Sequence, residues 1–225
     1  MKSGENAVII VSGGSGTRMR SDLPKQYLEV NGKPIIVWTL EKFLLFDPEV
    51  WIVLVLGHGH EQYWEPIKEG WFSHNRIVVT EGGEKRYDSV KNGLKIIDRD
   101  CIIGIHDAVR PMVNVETIRR CYHSARKYGS GIPVVAVEDS IRSEMEGKNA
   151  PVMRDTLKRV QTPQVFRAGE ILKAYEQPFN RFFTDDASVY EAMFRSVRLV
   201  EGNTENIKIT HQSDLIFASG LLGRI

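Results

Sequence analysis

The chain has 225 residues, little cysteine, no long apolar run and almost no net charge. The spacing of its two cysteines, Cys101 and Cys121, fits neither a metal site nor a disulfide framework, so both are expected to be reduced core residues. No apolar stretch reaches membrane-spanning length, and residues 1–6 lack an apolar signal region. The composition therefore favours a cytoplasmic enzyme or binding protein.

The chain also lacks an excess of charge of either sign, since it has 30 lysines and arginines against 29 acidic residues and a formal net charge of +1. A balance of this kind predicts neither a nucleic-acid partner nor a membrane surface. Cationic residues recur locally, which suits a small anionic ligand, although most of them can equally be solvated surface charges. The length fits a single domain over residues 1–225.

Two familiar phosphate-binding motifs are absent, because the chain has neither a Walker loop nor a complete dinucleotide fingerprint. A different glycine-rich run follows the apolar residues 7–11 and consists of Ser12, Gly13, Gly14, Ser15, Gly16 and Thr17. Glycines let backbone amides form a concave anion site, and Arg18 and Lys25 add full positive charge. The run predicts a triphosphate site; the alternative is an ordinary strand-to-loop connection.

Strand-like and helix-like segments alternate along the chain. Short apolar runs cover residues 7–11, 51–56, 77–79, 102–105 and 132–137, with helical periods between them. This alternation predicts an α/β fold with a doubly wound, mainly parallel, Rossmann-like sheet. Residues 138–160 are charged and carry a turn signal at 147–149, so we expect a protruding β-hairpin arm, with a disordered loop as the alternative.

Further polar motifs follow the predicted strands. Residues 81–86 open a helix and predict a base-reading loop, or simply a strand–helix turn. His106 is expected to be a buried core histidine, whereas Asp107 fits a metal or a ribose hydroxyl, or a structural ion pair with Arg110. Residues 184–188 are expected to cap a helix, and Lys208 to end a short strand-like segment.

Seven motifs in order resemble one family. They are Gly-Gly-x-Gly-Thr-Arg-Met, Pro-Lys-Gln-Tyr, Gly-Gly-Glu-x-Arg, His-Asp-Ala-Val-Arg-Pro, Gln-Thr-Pro-Gln, Thr-Asp-Asp-Ala-Ser and Asn-Ile-Lys. The set is similar to that of 2-C-methyl-D-erythritol 4-phosphate cytidylyltransferases, enzymes of non-mevalonate isoprenoid synthesis. Two departures are Ser12-Gly13-Gly14, where the family usually has Ala-Ala-Gly, and Asp139-Ser140, where it commonly has Asp-Thr.

The resemblance implies a set of site residues and partners. The run 12–17 would wrap the CTP triphosphate, and Arg18 and Lys25 would be catalytic at the α-phosphate. The remaining nucleotide contacts would be Gly83, Glu84, Ser89 and Asp107. The contacts to the sugar-alcohol phosphate would be Arg110, Ser140, Arg154, Thr162, Thr184 and Lys208. Mg²⁺ would be bound mainly through the CTP phosphates, with no dedicated protein metal site, and the 138–160 arm would form a homodimer.

Three other functions stay open at the level of sequence. A D-ribitol 5-phosphate cytidylyltransferase shares the His-Asp-Ala-Val-Arg motif and the same reaction. A non-catalytic nucleotide-binding module fits the glycine-rich run, although it has no chemical need for Arg18 and Lys25. A nucleotide-sugar glycosyltransferase shares the sheet type but normally carries an Asp-x-Asp metal motif, which this sequence lacks.

Overall fold

The fold is taken from a computed structural model, which describes residues 5–14, 23–72, 77–98 and 100–223. The described strands are β1 (Asn6–Ser12), β2 (Glu29–Val30), β3 (Lys33–Pro34), β4 (Trp51–Leu56), β5 (Ile77–Glu81), β6 (Ile102–Asp107), β7 (Ser130–Ala136), β8 (Ile141–Met145), β9 (Lys148–Val152), β10 (Lys158–Val160), β11 (Gln164–Arg167) and β12 (Leu199–Glu201). The described helices are α1 (Ile35–Phe46), α2 (Glu61–Trp71), α3 (Arg86–Lys95), α4 (Val115–Tyr128), α5 (Ala168–Ala174), α6 (Asp186–Glu191) and α7 (Gln212–Leu221).

A mixed, mainly parallel sheet forms the centre of the molecule. Its strand order is β10-β7-β11-β6-β1-β4-β5, and β12 pairs in parallel with β7. Strands β5, β4, β1 and β6 are parallel neighbours, as the apolar runs predicted. The short strands β10 and β11 run antiparallel to their neighbours and were not predicted from the sequence.

Both faces of the sheet are buried, which explains why its central strands are apolar without alternation. In β1, Ala7 and Ile9 pack into one core cluster, whereas Val8 and Ile10 pack into the cluster on the opposite face. Helices α1, α2 and α4 cover the second face, and α3, α5 and α6 cover the first. The predicted doubly wound α/β fold is therefore confirmed.

Two helices begin at residues that favour a helix start. Helix α1 begins directly after Pro34, which supplies a fixed φ at its start. Helix α4 is capped by Asn114, whose side-chain oxygen accepts a hydrogen bond of 2.7 Å from the backbone N–H of Thr117. In the described part of the chain, no helix combines the length and apolar character that a bilayer crossing requires.

The charged segment after β7 forms the predicted hairpin, with β8 and β9 paired antiparallel. Its turn lies at Glu146 and Gly147, which have φ of 52° and 76°. A two-residue hairpin turn of this type needs positive φ at both central positions, so Gly147 is well suited to it. The turn signal at 147–149 predicted the turn too far along the chain, because the turn lies at 146–147, and Lys148 and Asn149 already pair with Met145 and Glu144.

The predicted position of Lys208 at the end of a strand is wrong. The nearest preceding strand, β12, ends at Glu201, and residues 202–210 are irregular. The chain is instead fixed beside the sheet by a backbone hydrogen bond of 2.9 Å from the Ile209 N–H to the Val109 carbonyl. This bond places Lys208 next to the end of β6.

The chain order creates a crevice beside β1. After β1 the chain continues to β4 and β5 on one side, and then β6 returns to pair on the other side of β1. Val11 and Asp107 are register partners, so the carboxyl ends of β1 and β6 lie together. In open α/β sheets, ligands bind at such a switch point.

Candidate active site

A cleft of about 460 Å³ opens at the carboxyl ends of β1 and β6. Nine of the residues predicted for ligand binding or catalysis lie on its described lining: Ser12, Gly13, Gly14, Lys25, Gly83, Glu84, Ser89, Asp107 and Lys208. The structure therefore brings together segments from both halves of the chain. The predicted residues Ser15, Gly16, Thr17 and Arg18 lie outside the described residues.

The segment that carries Lys25 is tied to the start of the glycine-rich run. Lys25 begins a 3₁₀ turn that ends at Tyr27. The buried side chain of Gln26 donates a hydrogen bond of 2.7 Å from Nε2 to the backbone carbonyl of Ser12. Because this bond joins the two segments, Gln26 helps to hold Lys25 at the cleft. Gln26 belongs to the Pro-Lys-Gln-Tyr motif, but this function of its side chain was not predicted from the sequence.

The opposite wall is the loop between β5 and α3. The Gly83 N–H donates a hydrogen bond of 3.1 Å to Ser89 Oγ, and the Ser89 hydroxyl donates one of 3.1 Å to the Lys85 carbonyl. A Cβ atom on Gly83 would lie 2.3 Å from Asp88 Cβ, so this position has room for glycine alone. Ser89 thus fixes the shape of the loop, and its ligand contact remains a prediction.

Asp107 is the centre of a charged cluster at the end of β6. Its carboxylate lies 3.5 Å from Arg86 Nε, 3.2 Å from Arg110 Nε and 3.1 Å from Lys208 Nζ. Burial alone would raise the pKa of Asp107, but these cations outweigh burial and hold the pKa well below its usual value. The structural ion pair with Arg110 is therefore present, and Asp107 also lies on the cleft.

His106 is a buried histidine whose two ring nitrogens are both hydrogen-bonded. Nε2 lies 3.2 Å from the Arg110 carbonyl, which only accepts, so Nε2 carries the proton. Nδ1 then accepts from the Thr162 hydroxyl at 3.0 Å, and the same hydroxyl accepts from the Asp107 N–H at 3.2 Å. Burial lowers the pKa of His106 to about 3. The prediction of a core histidine is confirmed, and this ring is not placed to act on a ligand as a base.

Arg110 and Thr162 lie behind the cleft and not on its described lining. Arg110 Nη1 donates a hydrogen bond of 2.9 Å to the Asn206 carbonyl, in addition to its contact with Asp107. Thr162 is buried, with its hydroxyl bonded as described above. Their predicted contacts with the acceptor phosphate stay predictions.

Thr184 is exposed and directly precedes the N-terminus of α6. The predicted cap is confirmed, since the Asp185 side chain accepts a hydrogen bond of 2.9 Å from the Ser188 N–H. The next residue, Asp186, is fully buried and accepts two hydrogen bonds from Arg86, a contact that was not predicted from the sequence. Arg86 and Asp186 both belong to motifs named above, but no pattern in the sequence predicts that they form an ion pair.

The arm residues Ser140 and Arg154 are exposed and do not belong to the described lining of the cleft. The Arg154 guanidinium donates a hydrogen bond to the Glu138 carbonyl, at the base of the arm. Their predicted contact with ligand requires a neighbouring subunit and stays a prediction.

The acids of the cleft suit a lightly held divalent cation. Within the described residues, no group of three or more histidine, cysteine or acidic side chains is arranged to hold a metal ion. Glu84 and Asp107 are the acids on the described lining. Mg²⁺ normally takes one or two carboxylates together with waters and substrate phosphates. This donor set fits Mg²⁺ that is held mainly by a bound triphosphate.

Glycine amides, Lys25 and a strand–helix loop face one cleft at the switch point of a doubly wound sheet. That combination fits an enzyme of the nucleotidyltransferase class. The family model described as 2-C-methyl-D-erythritol 4-phosphate cytidylyltransferase matches residues 6–224. The chain belongs to this family, as the motifs indicated.

Individual relatives agree with the family match. The enzyme of that name from Bacteroides thetaiotaomicron is 47% identical over 218 residues, which are 97% of this chain and 100% of the relative. The one from Bacteroides fragilis is 48% identical over 214 residues, which are 95% and 98%. The crystal structure of 4-diphosphocytidyl-2C-methyl-D-erythritol synthase from Anaerococcus prevotii aligns with a TM-score of 0.82 at 30% identity, covering 97% of this chain and 96% of that one.

Proposed function

We propose that this protein transfers the CMP group of CTP to 2-C-methyl-D-erythritol 4-phosphate and releases pyrophosphate. The observation that carries the proposal is the meeting of Ser12, Gly13 and Gly14, at the start of the glycine-rich run, with Lys25 and the Gly83 loop on one cleft, in a chain of this family. A phosphate oxygen of the acceptor attacks the α-phosphorus of CTP and forms a new P–O bond. The bond to the β-phosphate breaks, and pyrophosphate leaves with the electron pair.

The proposed reaction needs positive charge more than it needs a base. A phosphate monoester has a second pKa near ~6 and is mostly a dianion at neutral pH. The difficulty is the approach of two anions, which cations and backbone amides stabilise. Lys25 and Lys208 line the described cleft, and we propose that Lys25, together with Arg18, stabilises the charge that develops at the α-phosphate.

We propose that the acceptor phosphate binds beside Asp107. The support is that Arg110 and Lys208 both reach this carboxylate, at 3.2 Å and 3.1 Å, so two cations converge on one point of the site. Thr162 and Thr184 are the proposed hydroxyl contacts. Ser140 and Arg154 would come from the arm of a second subunit in a homodimer.

We propose that Mg²⁺ accompanies CTP and that Asp107, the buried acid on the described lining of the cleft, would help to hold it. When bound, the cation supplies charge neutralisation at the phosphates. The protein contributes the amides and ammonium groups around it. The cytoplasmic location remains a prediction of the sequence.

The test is pyrophosphate release with CTP and Mg²⁺, with 2-C-methyl-D-erythritol 4-phosphate and D-ribitol 5-phosphate compared as acceptors. We expect rapid release with the first acceptor. Release with ribitol 5-phosphate alone would contradict the proposed substrate, and CTP binding without release would contradict the proposed reaction. Chromatography with light scattering tests the homodimer, which a monomer at micromolar concentration would contradict.

A further inference from the structure

A part-buried ion pair joins the first residues of α3 and α6. Asp186 is fully buried and accepts hydrogen bonds of 2.8 Å and 2.7 Å from the two terminal nitrogens of Arg86. The Tyr175 hydroxyl donates a third bond of 2.6 Å to the same carboxylate. Forked contacts of this kind fix direction as well as distance. The pair therefore sets the position of α3 relative to α6.

Each partner lies two residues after a segment that we assign to a different substrate. Arg86 begins α3 and follows the loop of Gly83 and Glu84, on the proposed nucleotide side. Asp186 begins α6 and lies two residues after Thr184, on the proposed acceptor side. Arg86 also lines the cleft, and its Nε lies 3.5 Å from Asp107, between the two sides.

Helix α6 depends on such anchors because it has only six residues. A helix of this length is marginal without tertiary contacts. Gln164 supplies the other anchor, since its Nε2 donates to Asp185 at 2.8 Å and its Oε1 accepts from the Ala187 N–H at 2.7 Å. Gln164 joins α6 to β11 of the sheet. Asp186 joins α6 to Arg86 and so to the preceding loop of Gly83 and Glu84, which we call the nucleotide loop.

We propose that Arg86 and Asp186 are positioning residues that hold the nucleotide loop and Thr184 in one fixed arrangement. The inference rests on the proposed function, because it assigns one substrate to each side. A substitution on the acceptor side then weakens CTP binding, and a substitution on the nucleotide side raises the KM for the acceptor. A purely local, structural contact gives no such cross-effect.

Two conservative variants separate geometry from folding. Asp186→Asn keeps the shape of the side chain and removes its charge. Arg86→Lys keeps the positive charge and removes the fork, which a lysine does not reproduce. A displacement of about 1 Å can cost ~10²-fold in rate, so we expect cross-effects of about 10-fold or more.

The matched control is Ser188→Ala. The Ser188 hydroxyl caps α6 by accepting from the Asp185 N–H at 3.1 Å, and the pair of Arg86 and Asp186 stays intact without it. This variant disturbs the acceptor side alone. We therefore expect a raised KM for the acceptor and an unchanged Kd for CTP.

The experiment measures the Kd for CTP with Mg²⁺ by calorimetry, without acceptor, and the KM for the acceptor by pyrophosphate release. Circular dichroism confirms that each variant is folded at the assay temperature. We expect Asp186→Asn to weaken CTP binding and Arg86→Lys to raise the acceptor KM. If Asp186→Asn binds CTP as Ser188→Ala does, the inference is wrong; if it does not fold, Asp186→Glu, which keeps the charge and moves the carboxylate, replaces it in the CTP titration, where an unchanged Kd would again contradict the inference. A wild-type protein that releases no pyrophosphate would refute the proposed function instead, and the CTP titrations would still test the pair.

Discussion

Mild acid should destabilise this protein through His106. The ring is fully buried, with Nε2 donating to the Arg110 carbonyl and Nδ1 accepting from the Thr162 hydroxyl. Protonation of Nδ1 would place a donor against that hydroxyl and a charge in the core. Burial therefore lowers the pKa of His106 to about 3.

The sign and size of the effect follow from proton linkage. In the unfolded chain a histidine has a pKa of about 6.5. Between pH 6.5 and the folded value of about 3, the unfolded state binds a proton that the folded state does not, so stability falls as the pH falls. At about pH 5 the difference is roughly 1.5 pH units, or about 2 kcal/mol, relative to neutral pH.

The assay is urea unfolding of the wild type and of His106→Gln at about pH 7.5 and about pH 5. Glutamine offers a donor and an acceptor but does not titrate. The other histidines act equally in both proteins, including His58, whose pKa is raised by Glu81, and His60, whose pKa is lowered by burial. We expect the wild type to lose about 2 kcal/mol more than the variant. Equal losses in the two proteins would refute the reasoning.

Three further outcomes follow from single contacts. Lys25→Ala should lower turnover by about 10²–10³-fold, and near-normal turnover would contradict its proposed catalytic function. Ser89→Ala removes the acceptor of the Gly83 N–H and should raise the KM for CTP about 10-fold, whereas an unchanged KM would show that the loop holds its shape without it. Asn114→Ala removes the cap on the Thr117 N–H and should cost about 1 kcal/mol, seen as a fall in Tm of about 2–4 °C with turnover unchanged. An unchanged Tm would mean that solvent replaces this cap.

The sequence predicted the central strands because they are buried on both faces. Strand β4 is a continuous apolar run, β1 contains one over residues 7–11, and β6 begins with apolar residues before its polar end. A run of this kind is typical of a strand in a parallel sheet. Strand β10 carries no comparable signal, because its three residues are all exposed. Helix α2 has a weak apolar pattern for a related reason: Trp64 is its one buried residue, and Pro66 lies inside the helix.

The residues of the site could be predicted where a motif itself consists of groups that bind anions. Glycines and cations near the end of β1 indicate an anion site in any context, and the structure does bring Lys25 to the same cleft as Gly83. The contacts that hold these motifs in place were not predictable. Arg86 and Asp186 are 100 positions apart, and both are also common as surface charges. Their pairing depends on the packing of α3 against α6, which no local pattern contains.

The cluster around Asp107 shows how a nearly neutral chain can favour an anionic ligand. Three cations surround this one carboxylate, so the cluster keeps positive charge even though Asp107 is ionised. Arg86 is also neutralised by Asp186 and Arg110 is largely buried, but the Lys208 side chain is 44% exposed. A doubly charged phosphate attracts that ammonium more strongly than a single carboxylate does. Asp107 therefore holds the Lys208 ammonium group on the lining of the cleft. From this position the ammonium group can exchange Asp107 for a bound phosphate as its ion-pair partner.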